Sequence, residues 1–156
     1  MTGGYSNDVN LNKGNDSANL YDGGGRVRGG SDSDILNVVD GFWDVVNGNK
    51  GDDYLTNYSY AGGTLRGGAR NDILVDAGGG ADFYGDLGAD TFRPYALESS
   101  GIPVKGHMVI KDFQPGIDSL DLSAIGGANY VYIDGSTFIG SLSTGELVAV
   151  VENVFL

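Results

Sequence analysis

The sequence predicts an all-β fold in which short parallel strands wind in coils around a thin apolar core. Three observations lead to this prediction. Glycine occupies 28 of the 156 positions, and most of these lie before residue 93. A pattern of about nine residues recurs over the same stretch, and one position of that pattern is apolar between polar neighbours. Because Gly favours turns and such alternation favours half-buried strands, turns and strands should follow each other regularly.

The repeating unit reads Gly-Gly-x-Gly-x-Asp-x-apolar-x. It is clearest at residues 29–37, 48–56, 67–75 and 85–93, with a weaker copy at 11–19. Imperfect units lie between these. If each unit is a six-residue turn and a three-residue strand, two units complete one coil, and about five coils fit before residue 93. The side chains expected to point inward between two sheets are Ala18, Val27, Leu36, Val45, Leu55, Leu65, Leu74, Tyr84 and Phe92.

Aspartate occupies the sixth position in every second unit. These residues are Asp16, Asp34, Asp53, Asp72 and Asp90, whereas the middle intervening units carry Gly25, Trp43 and Gly63, and the first and last intervening units keep Asp8 and Asp82. Alternate turns lie on opposite edges of a coil, so the five carboxylates should stack about 5 Å apart on one edge, where like charges repel. A simple Asx-turn is the alternative explanation for Asp in such turns, but it does not require this period.

The stacked carboxylates predict up to four bound Ca²⁺ ions in one column, with Asp82 as an additional ligand at one end. Ca²⁺ accepts six to eight oxygens, including backbone carbonyls, and tolerates irregular geometry. Glycine-rich turns present such carbonyls. The turn glycines assigned to the sites are Gly14, Gly30, Gly51, Gly68 and Gly88.

The nonapeptide resembles the repeat of the RTX (repeats-in-toxin) family. That resemblance implies a right-handed parallel β-roll over residues 1–93, followed by a cap over 94–156. The segment 107–125 also resembles the one that follows the repeats in many RTX proteins. By position it implies that Asp112, Asp118 and Asp121 shape the cap, with Asp118 and Asp121 as further Ca²⁺ ligands or, alternatively, solvated turn residues. Strands at 129–134, 137–142 and 146–151 should close the open end of the roll.

The last five residues, Glu152 to Leu156, are an acidic residue followed by mostly apolar ones. Several RTX proteins that leave the cell by type I secretion end similarly. The resemblance implies an uncleaved C-terminal export signal, the type I secretion machinery as a partner and a bacterial extracellular location. A last strand of the cap is the alternative. The first ten residues lack the basic and apolar regions of an N-terminal signal peptide, and no window approaches a membrane span.

Composition excludes several functions. The formal charge of −12 argues against nucleic acid and anionic membranes as partners. The absence of Cys excludes disulfides, thiol catalysis and thiolate metal sites. His107 is the single His and reads as the start of a strand. None of the HExxH, GxSxG or P-loop motifs occurs, so the chain is not expected to be an enzyme.

Aromatic residues collect on the edge opposite the aspartates. They are Tyr21, Phe42, Trp43, Tyr58 and Tyr60. Such rings either stack against sugar rings or pack on one another in space that lacks ions. Binding of an acidic polysaccharide such as alginate would also require basic side chains. The candidates are Arg26, Arg28, Arg66 and Arg70. Solvated charges at the strand edges are the alternative for these arginines.

The leading functional interpretation is a calcium-binding RTX module that folds when Ca²⁺ binds outside the cell, as a stand-alone or C-terminal part of a type I secreted protein. Two alternatives stay open. One is a carbohydrate-binding module resembling the R-modules of mannuronan epimerases, and the other is a structural element of an adhesin or surface layer.

Overall fold

The computed structural model describes residues 6–21, 24–40, 43–59, 62–95 and 106–156. Within them the chain is all-β, with one short 3-10 helix at Ser123–Ile125. The strands are β1 (Ser6–Asn10), β2 (Ser17–Leu20), β3 (Gly24–Ser31), β4 (Ile35–Val38), β5 (Trp43–Lys50), β6 (Tyr54–Asn57), β7 (Gly63–Ala69), β8 (Ile73–Asp76), β9 (Asp82–Leu87), β10 (Thr91–Pro94), β11 (Met108–Ile110), β12 (Ser119–Leu120), β13 (Ala128–Ile133), β14 (Ser136–Ser141) and β15 (Leu147–Val151). No helix of these residues is long and apolar enough to cross a membrane.

Consecutive strands of the repeat region lie in opposite sheets. The larger sheet has nine strands in the order β1-β3-β5-β7-β9-β11-β15-β14-β13, and the smaller has six in the order β12-β10-β8-β6-β4-β2. All pairings between repeat strands are parallel. Two strands therefore complete each coil, and the predicted parallel β-roll is confirmed.

Two columns of apolar side chains, one from each sheet, form the interior. The larger sheet contributes Val27, Val46, Leu65, Phe83 and Ile110, and the smaller contributes Leu36, Leu55, Leu74 and Phe92. Each is at most 2% exposed. Full burial of one such side chain contributes roughly 1.5–3 kcal/mol, so these columns are the main apolar contribution to the stability of the roll.

Two of the predicted inward residues are wrong. Val46 rather than Val45 is buried, because a bulge between Trp43 and Val46 adds a residue to that strand. Phe83 rather than Tyr84 points inward, in register with Leu65. In both cases the neighbouring residue is also apolar, so the composition of the strand did not reveal the shift of one position.

The C-terminal strands extend both sheets of the roll. Strand β12 pairs with β10 in the smaller sheet, and β11 pairs with β9 in the larger. Strand β15 then pairs in parallel with β11, and β14 and β13 follow it in antiparallel order. These last three strands form within two residues of their predicted bounds. They carry the larger sheet beyond the end of the smaller one.

Candidate metal centre

One edge of the roll is built from the turns that lead from the larger sheet to the smaller one. This aspartate edge comprises residues 11–16, 29–34, 48–53, 67–72 and 85–90. Every turn has a positive φ at its second and fourth residues, and Gly fills one of these two positions in each. In the second turn Gly30 has φ 119° and Asp32 has φ 78°, whereas in the fourth Arg70 keeps φ 91° in place of Gly. The turns are thus conformationally alike although their sequences differ.

The turn aspartates form a continuous hydrogen-bonded ladder. The backbone N–H of Asp34 donates to Oδ1 of Asp53 at 2.7 Å, and that of Asp53 donates to Oδ1 of Asp72 at 2.8 Å. The same bond joins Asp72 to Asp90, and Asp16 to Asp34. The structure therefore stacks all five predicted aspartates in one column. At its C-terminal end the N–H of Asp90 donates to Oδ1 of Asp118 at 3.0 Å, so the predicted cap residue Asp118 joins this column.

The second carboxylate oxygen of each repeat aspartate is buried and has no hydrogen-bond donor among the described residues. These atoms are Oδ2 of Asp16, Asp34, Asp53, Asp72 and Asp90. The side chains of the last four are at most 2% exposed. A buried carboxylate oxygen without a partner carries a large desolvation cost, so it requires a proton or a cation. Asp118 differs, because its Oδ2 accepts from the N–H of Gln114 at 2.8 Å.

Burial raises the pKa of these carboxyls. The pKa is about 6 for Asp53 and Asp90 and about 7 for Asp72, and that of Asp34 is also raised. The ladder hydrogen bond opposes the increase, while repulsion from neighbouring carboxylates adds to it. The ionised form of these carboxyls is therefore unfavourable in the column, and a bound cation would neutralise its negative charge.

The first residue of four turns is a glycine that sequence reasoning missed. These are Gly29, Gly48, Gly67 and Gly85, and none has a positive φ. A Cβ at any of them would lie far closer than 3.0 Å to the Oδ2 of the aspartate in its own turn. The recurrence of Gly at this position was visible in the sequence, but its cause is the space around the carboxylate oxygen rather than backbone conformation.

Carbonyl oxygens share this space. The positions that a Cβ of Gly29 and of Gly48 would occupy also lie next to the carbonyls of Gly48 and Gly67, one coil further on. No three His, Cys, Asp or Glu side chains of the described residues converge on one point as a metal site. A cation in the column would therefore be held by carboxylate oxygens together with backbone carbonyls, which is the hard oxygen donor set that Ca²⁺ accepts.

Two predicted ligands lie apart from the column. Asp82 is on β9, and its Oδ1 lies 3.8 Å from Nζ of Lys111. Asp121 accepts from the N–H of Ser123 at 3.0 Å and from Nε of Arg93 at 2.8 Å. The bonds from Ser123, followed by the Arg93 guanidinium, lower the pKa of Asp121. Both carboxylates already have cationic or hydrogen-bond partners in the protein.

Asp112 connects the segment after the repeats to the last turn of the aspartate edge. Its two carboxylate oxygens accept from the backbone N–H groups of Gly85 and Asp86, both at 2.9 Å. The side chain of Gln114 donates to the carbonyl of Asp86 at 3.0 Å. The cap therefore closes the last turn of the aspartate edge with protein hydrogen bonds.

Among the described residues, the opposite edge of the roll has no column of stacked aspartates. In the larger sheet at this edge Asn7 pairs with Gly25, and Trp43 pairs with Gly63. Asp76, a buried carboxylate of this edge, accepts through Oδ1 from Nδ2 of Asn57 at 3.0 Å and from the N–H of Gly79 at 2.8 Å. Burial raises the pKa of Asp76 to about 6, although these bonds oppose the change.

The structure describes the side chains of two of the five predicted aromatic residues on this edge. Tyr21 is 61% exposed and Tyr58 is 49% exposed, so these two rings do not serve as core packing. Strand β5 includes Trp43, whose side chain is not described, and Phe42 and Tyr60 lie outside the described residues.

The predicted arginines divide into paired and exposed ones. Arg28 forms an ion pair with Asp8 at 2.5 Å. Arg66 is paired with Asp86, and its guanidinium lies 4.4 Å from the ring centre of Tyr84. Arg26 and Arg70 are exposed.

Comparison with known proteins yields one structural likeness. No protein-family model matches the chain. The comparison with curated proteins likewise returns no match. The chain is similar to the solution structure of the AlgE6R3 subunit from the Azotobacter vinelandii mannuronan C5-epimerase, with 25% identity over 97% of this chain and 74% of that one, at a TM-score of 0.33. The fold given above rests on the strand register of the chain itself.

Proposed function

We propose that the chain is a calcium-binding β-roll module of the RTX type, which folds as Ca²⁺ fills the aspartate edge. The observation that carries this proposal is the row of five buried Oδ2 atoms without donors. Each atom needs a positive partner, and the 18- to 19-residue spacing of the aspartates repeats that need once per coil.

The chemistry of the column favours Ca²⁺ over other metals. Its donors are carboxylate and carbonyl oxygens, whereas Zn²⁺ favours the thiolate and imidazole ligands that the column lacks. Mg²⁺ requires a tighter octahedron and keeps several bound waters. A column of buried protein oxygens therefore suits Mg²⁺ poorly.

Metal binding and folding are expected to be one process. A charge of −12 and 28 glycines both oppose collapse of the metal-free chain. Ca²⁺ removes the repulsion in the column, and its binding free energy then contributes to folding. Extracellular calcium modules bind with Kd values of about 10⁻⁴ to 10⁻³ M, which defines the concentration range to test.

We also propose that the chain is exported by type I secretion, a proposal supported by the resemblance of its last five residues to those of secreted RTX proteins. In the folded chain the terminal residues are docked on the cap: Lys111 donates to Oε1 of Glu152 at 2.7 Å, and Oγ1 of Thr137 donates to the carbonyl of Val154 at 2.7 Å. A C-terminal export signal would therefore be read before the cap folds. Deleting residues 152–156 should abolish export by a type I system, and unchanged export would contradict this part.

The binding proposal is tested by calcium titration calorimetry with parallel circular dichroism on EDTA-stripped protein. Wild type should bind several Ca²⁺ ions with a gain of β-structure. Asp53→Asn should lose binding at the two neighbouring positions in the column. Asp76→Asn is the matched control, since Asp76 is also buried but its Oδ1 accepts two hydrogen bonds and neither oxygen belongs to the unpartnered set, and it should bind as wild type does. A wild-type chain that is folded in EDTA and binds no Ca²⁺ would overturn the proposal.

A second candidate function is polysaccharide binding at the edge opposite the aspartates, favoured by the exposure of Tyr21 and Tyr58. The two residues occupy equivalent turns two coils apart, so their rings are roughly 10 Å apart along the roll axis if strands are spaced as usual. Tyr58→Ala should weaken retention on a polysaccharide panel, whereas Tyr130→Ala, equally exposed on the cap, should not. Equal retention of both variants would exclude this function.

A further inference from the structure

Strand β13 is the outermost strand of the larger sheet, and its apolar side chains are exposed on both faces. Tyr130, Val131, Tyr132 and Ile133 are each between 49% and 53% exposed. One side of β13 pairs with β14, and the other side pairs with no described strand. The edge thus combines unpaired backbone groups with a continuous apolar sequence.

This edge lacks the features that usually prevent strand pairing. Such features are lysines, prolines, bulges or inward-pointing charges on the edge strand. The sequence of Ala128–Ile133 contains no charged residue and no proline. The one register shift nearby lies between β14 and β15 rather than on the edge. At the other end of the same sheet, β1 has the polar sequence SNDVN.

The inner face of β13 extends past the smaller sheet. Tyr130 and Tyr132 lie opposite Ile139 and Thr137 of β14, which are buried. The smaller sheet ends at β12, so no described strand covers the two tyrosines. An apolar groove of about 320 Å³ lies here, lined by Phe113, Leu120, Tyr130 and Leu156. The ring of Phe155 contacts Tyr132 edge-on, with 4.9 Å between centroids.

We propose that the partner of this edge is a second copy of the chain, bound through antiparallel β13–β13 pairing about a two-fold axis. Such an axis keeps the faces aligned, so the tyrosines of both copies would form one cluster and Val131 and Ile133 another on the opposite face. The strand is neutral and self-complementary, and the nearest charge on its hairpin is Asp134 at the turn. Pairing of two β13 strands therefore places no charged residue of one strand against a charged residue of the other.

The available area predicts a weak dimer. A half-exposed tyrosine offers roughly 100 Å² and a half-exposed Val or Ile somewhat less, so the four side chains contribute on the order of 350 Å² per copy. Phe155, at 73% exposure, adds to this. Counted over both copies, the area is close to or below the roughly 1,000 Å² of total buried surface that a specific interface needs, so a weak, transient dimer is expected.

Sedimentation velocity of the folded full chain, from about 10 µM to 1 mM in millimolar Ca²⁺, tests the proposal. Wild type should approach twice the monomer mass and stop there. Val131→Lys places a charge on the edge and should weaken dimerisation at least tenfold. Ile35→Lys is the matched control, because Ile35 is 47% exposed but lies on β4, within the smaller sheet. This control should dimerise like wild type.

Three results would overturn the proposal. The first is a monomer throughout the concentration series. The second is growth past the dimer, which would indicate that β13 pairs with another edge. The third is a dimer that Val131→Lys leaves unchanged. Circular dichroism verifies that each variant is folded. If Val131→Lys does not fold, Ile133→Lys carries the same charge on the same face and replaces it. A monomeric wild type would assign the edge to a strand of a different protein.

Discussion

Both edges of the roll bury carboxylates, but among the described residues the buried carboxylate oxygens that lack a hydrogen-bond donor lie only on the aspartate edge. Asp76 on one edge accepts hydrogen bonds from Asn57 and Gly79. Asp72 on the other uses Oδ1 for the ladder and leaves Oδ2 buried without a described donor. Their raised pKa values are similar, about 6 and about 7. Burial and a raised pKa alone therefore do not distinguish a cation site from a structural carboxylate; the missing donor does.

The largest expected effect comes from filling the space beside a column oxygen. Gly48→Ala would place a Cβ against Oδ2 of Asp53, where a cation ligand needs room. We expect loss of Ca²⁺ binding and of the folded state in circular dichroism. Gly14→Ala is the control, because its φ of 109° disfavours a side chain, which is not the case at Gly48, whereas nothing lies within 4 Å of its Cβ position. It should cost about 1–3 kcal/mol through backbone strain alone. Equal behaviour of the two variants would show that the space beside Oδ2 is not decisive.

The next largest effect is the pH dependence of the metal-free chain. Burial raises the pKa values of Asp53, Asp72 and Asp90 from 3.8 to about 6–7. Between pH 3.8 and about pH 7 the folded chain therefore binds more protons than the unfolded chain. Its stability should be greatest below pH 4 and fall as pH rises toward 7, by on the order of 3 kcal/mol per carboxylate.

Circular dichroism in EDTA between pH 4 and 8 measures this dependence. Saturating Ca²⁺ should abolish most of it, because the cation replaces the proton. Metal-free stability that increases with pH over this range would contradict the assignment.

A smaller effect is expected at the end of the ladder. Asp118→Ala removes the acceptor of the Asp90 and Gln114 N–H groups, and should cost about 2–3 kcal/mol in urea unfolding with Ca²⁺ present. Asp121→Ala, which loses a partly exposed pair with Arg93, should cost about 1 kcal/mol or less. The reverse order would mean that the outer ion pair, rather than the ladder, closes the roll.

The smallest effect concerns the outer face of the larger sheet. Arg28→Ala removes an exposed ion pair with Asp8 and should change the free energy of unfolding by less than about 1 kcal/mol. Calcium affinity should be unchanged in the same titration. A clear loss of affinity would show that this face is coupled to the aspartate edge.

The sequence predicted those features of the molecule that follow from the regular spacing of the repeats. A spacing of 18 to 19 residues can still be recognised when one coil gains or loses a residue. It therefore predicted that Asp34, Asp53 and Asp72 lie on one edge. Prediction of inward residues depends on single positions. It failed at Val45 because of the bulge in β5, and at Tyr84 because Asp82 was taken as a turn aspartate.

Other features depend on coordinates. The shared role of Gly29 and Gly48 follows from the closeness of an aspartate oxygen five residues later, which a pattern of residue types does not reveal. The exposure of Tyr130 arises because one sheet is longer than the other. Such a difference in sheet length depends on long-range pairing and is not encoded in any one segment.

The calcium sites are tested most directly by a crystal structure grown with Ca²⁺, with the ions located by anomalous scattering. Peaks should lie in one row along the aspartate edge, each about 2.3–2.6 Å from an Oδ2 atom of Asp34, Asp53 or Asp72. Asp76 should have none. A row of Oδ2 atoms without bound ions at saturating Ca²⁺, or ions bound at the opposite edge instead, would contradict the central claim that the missing donors mark calcium sites.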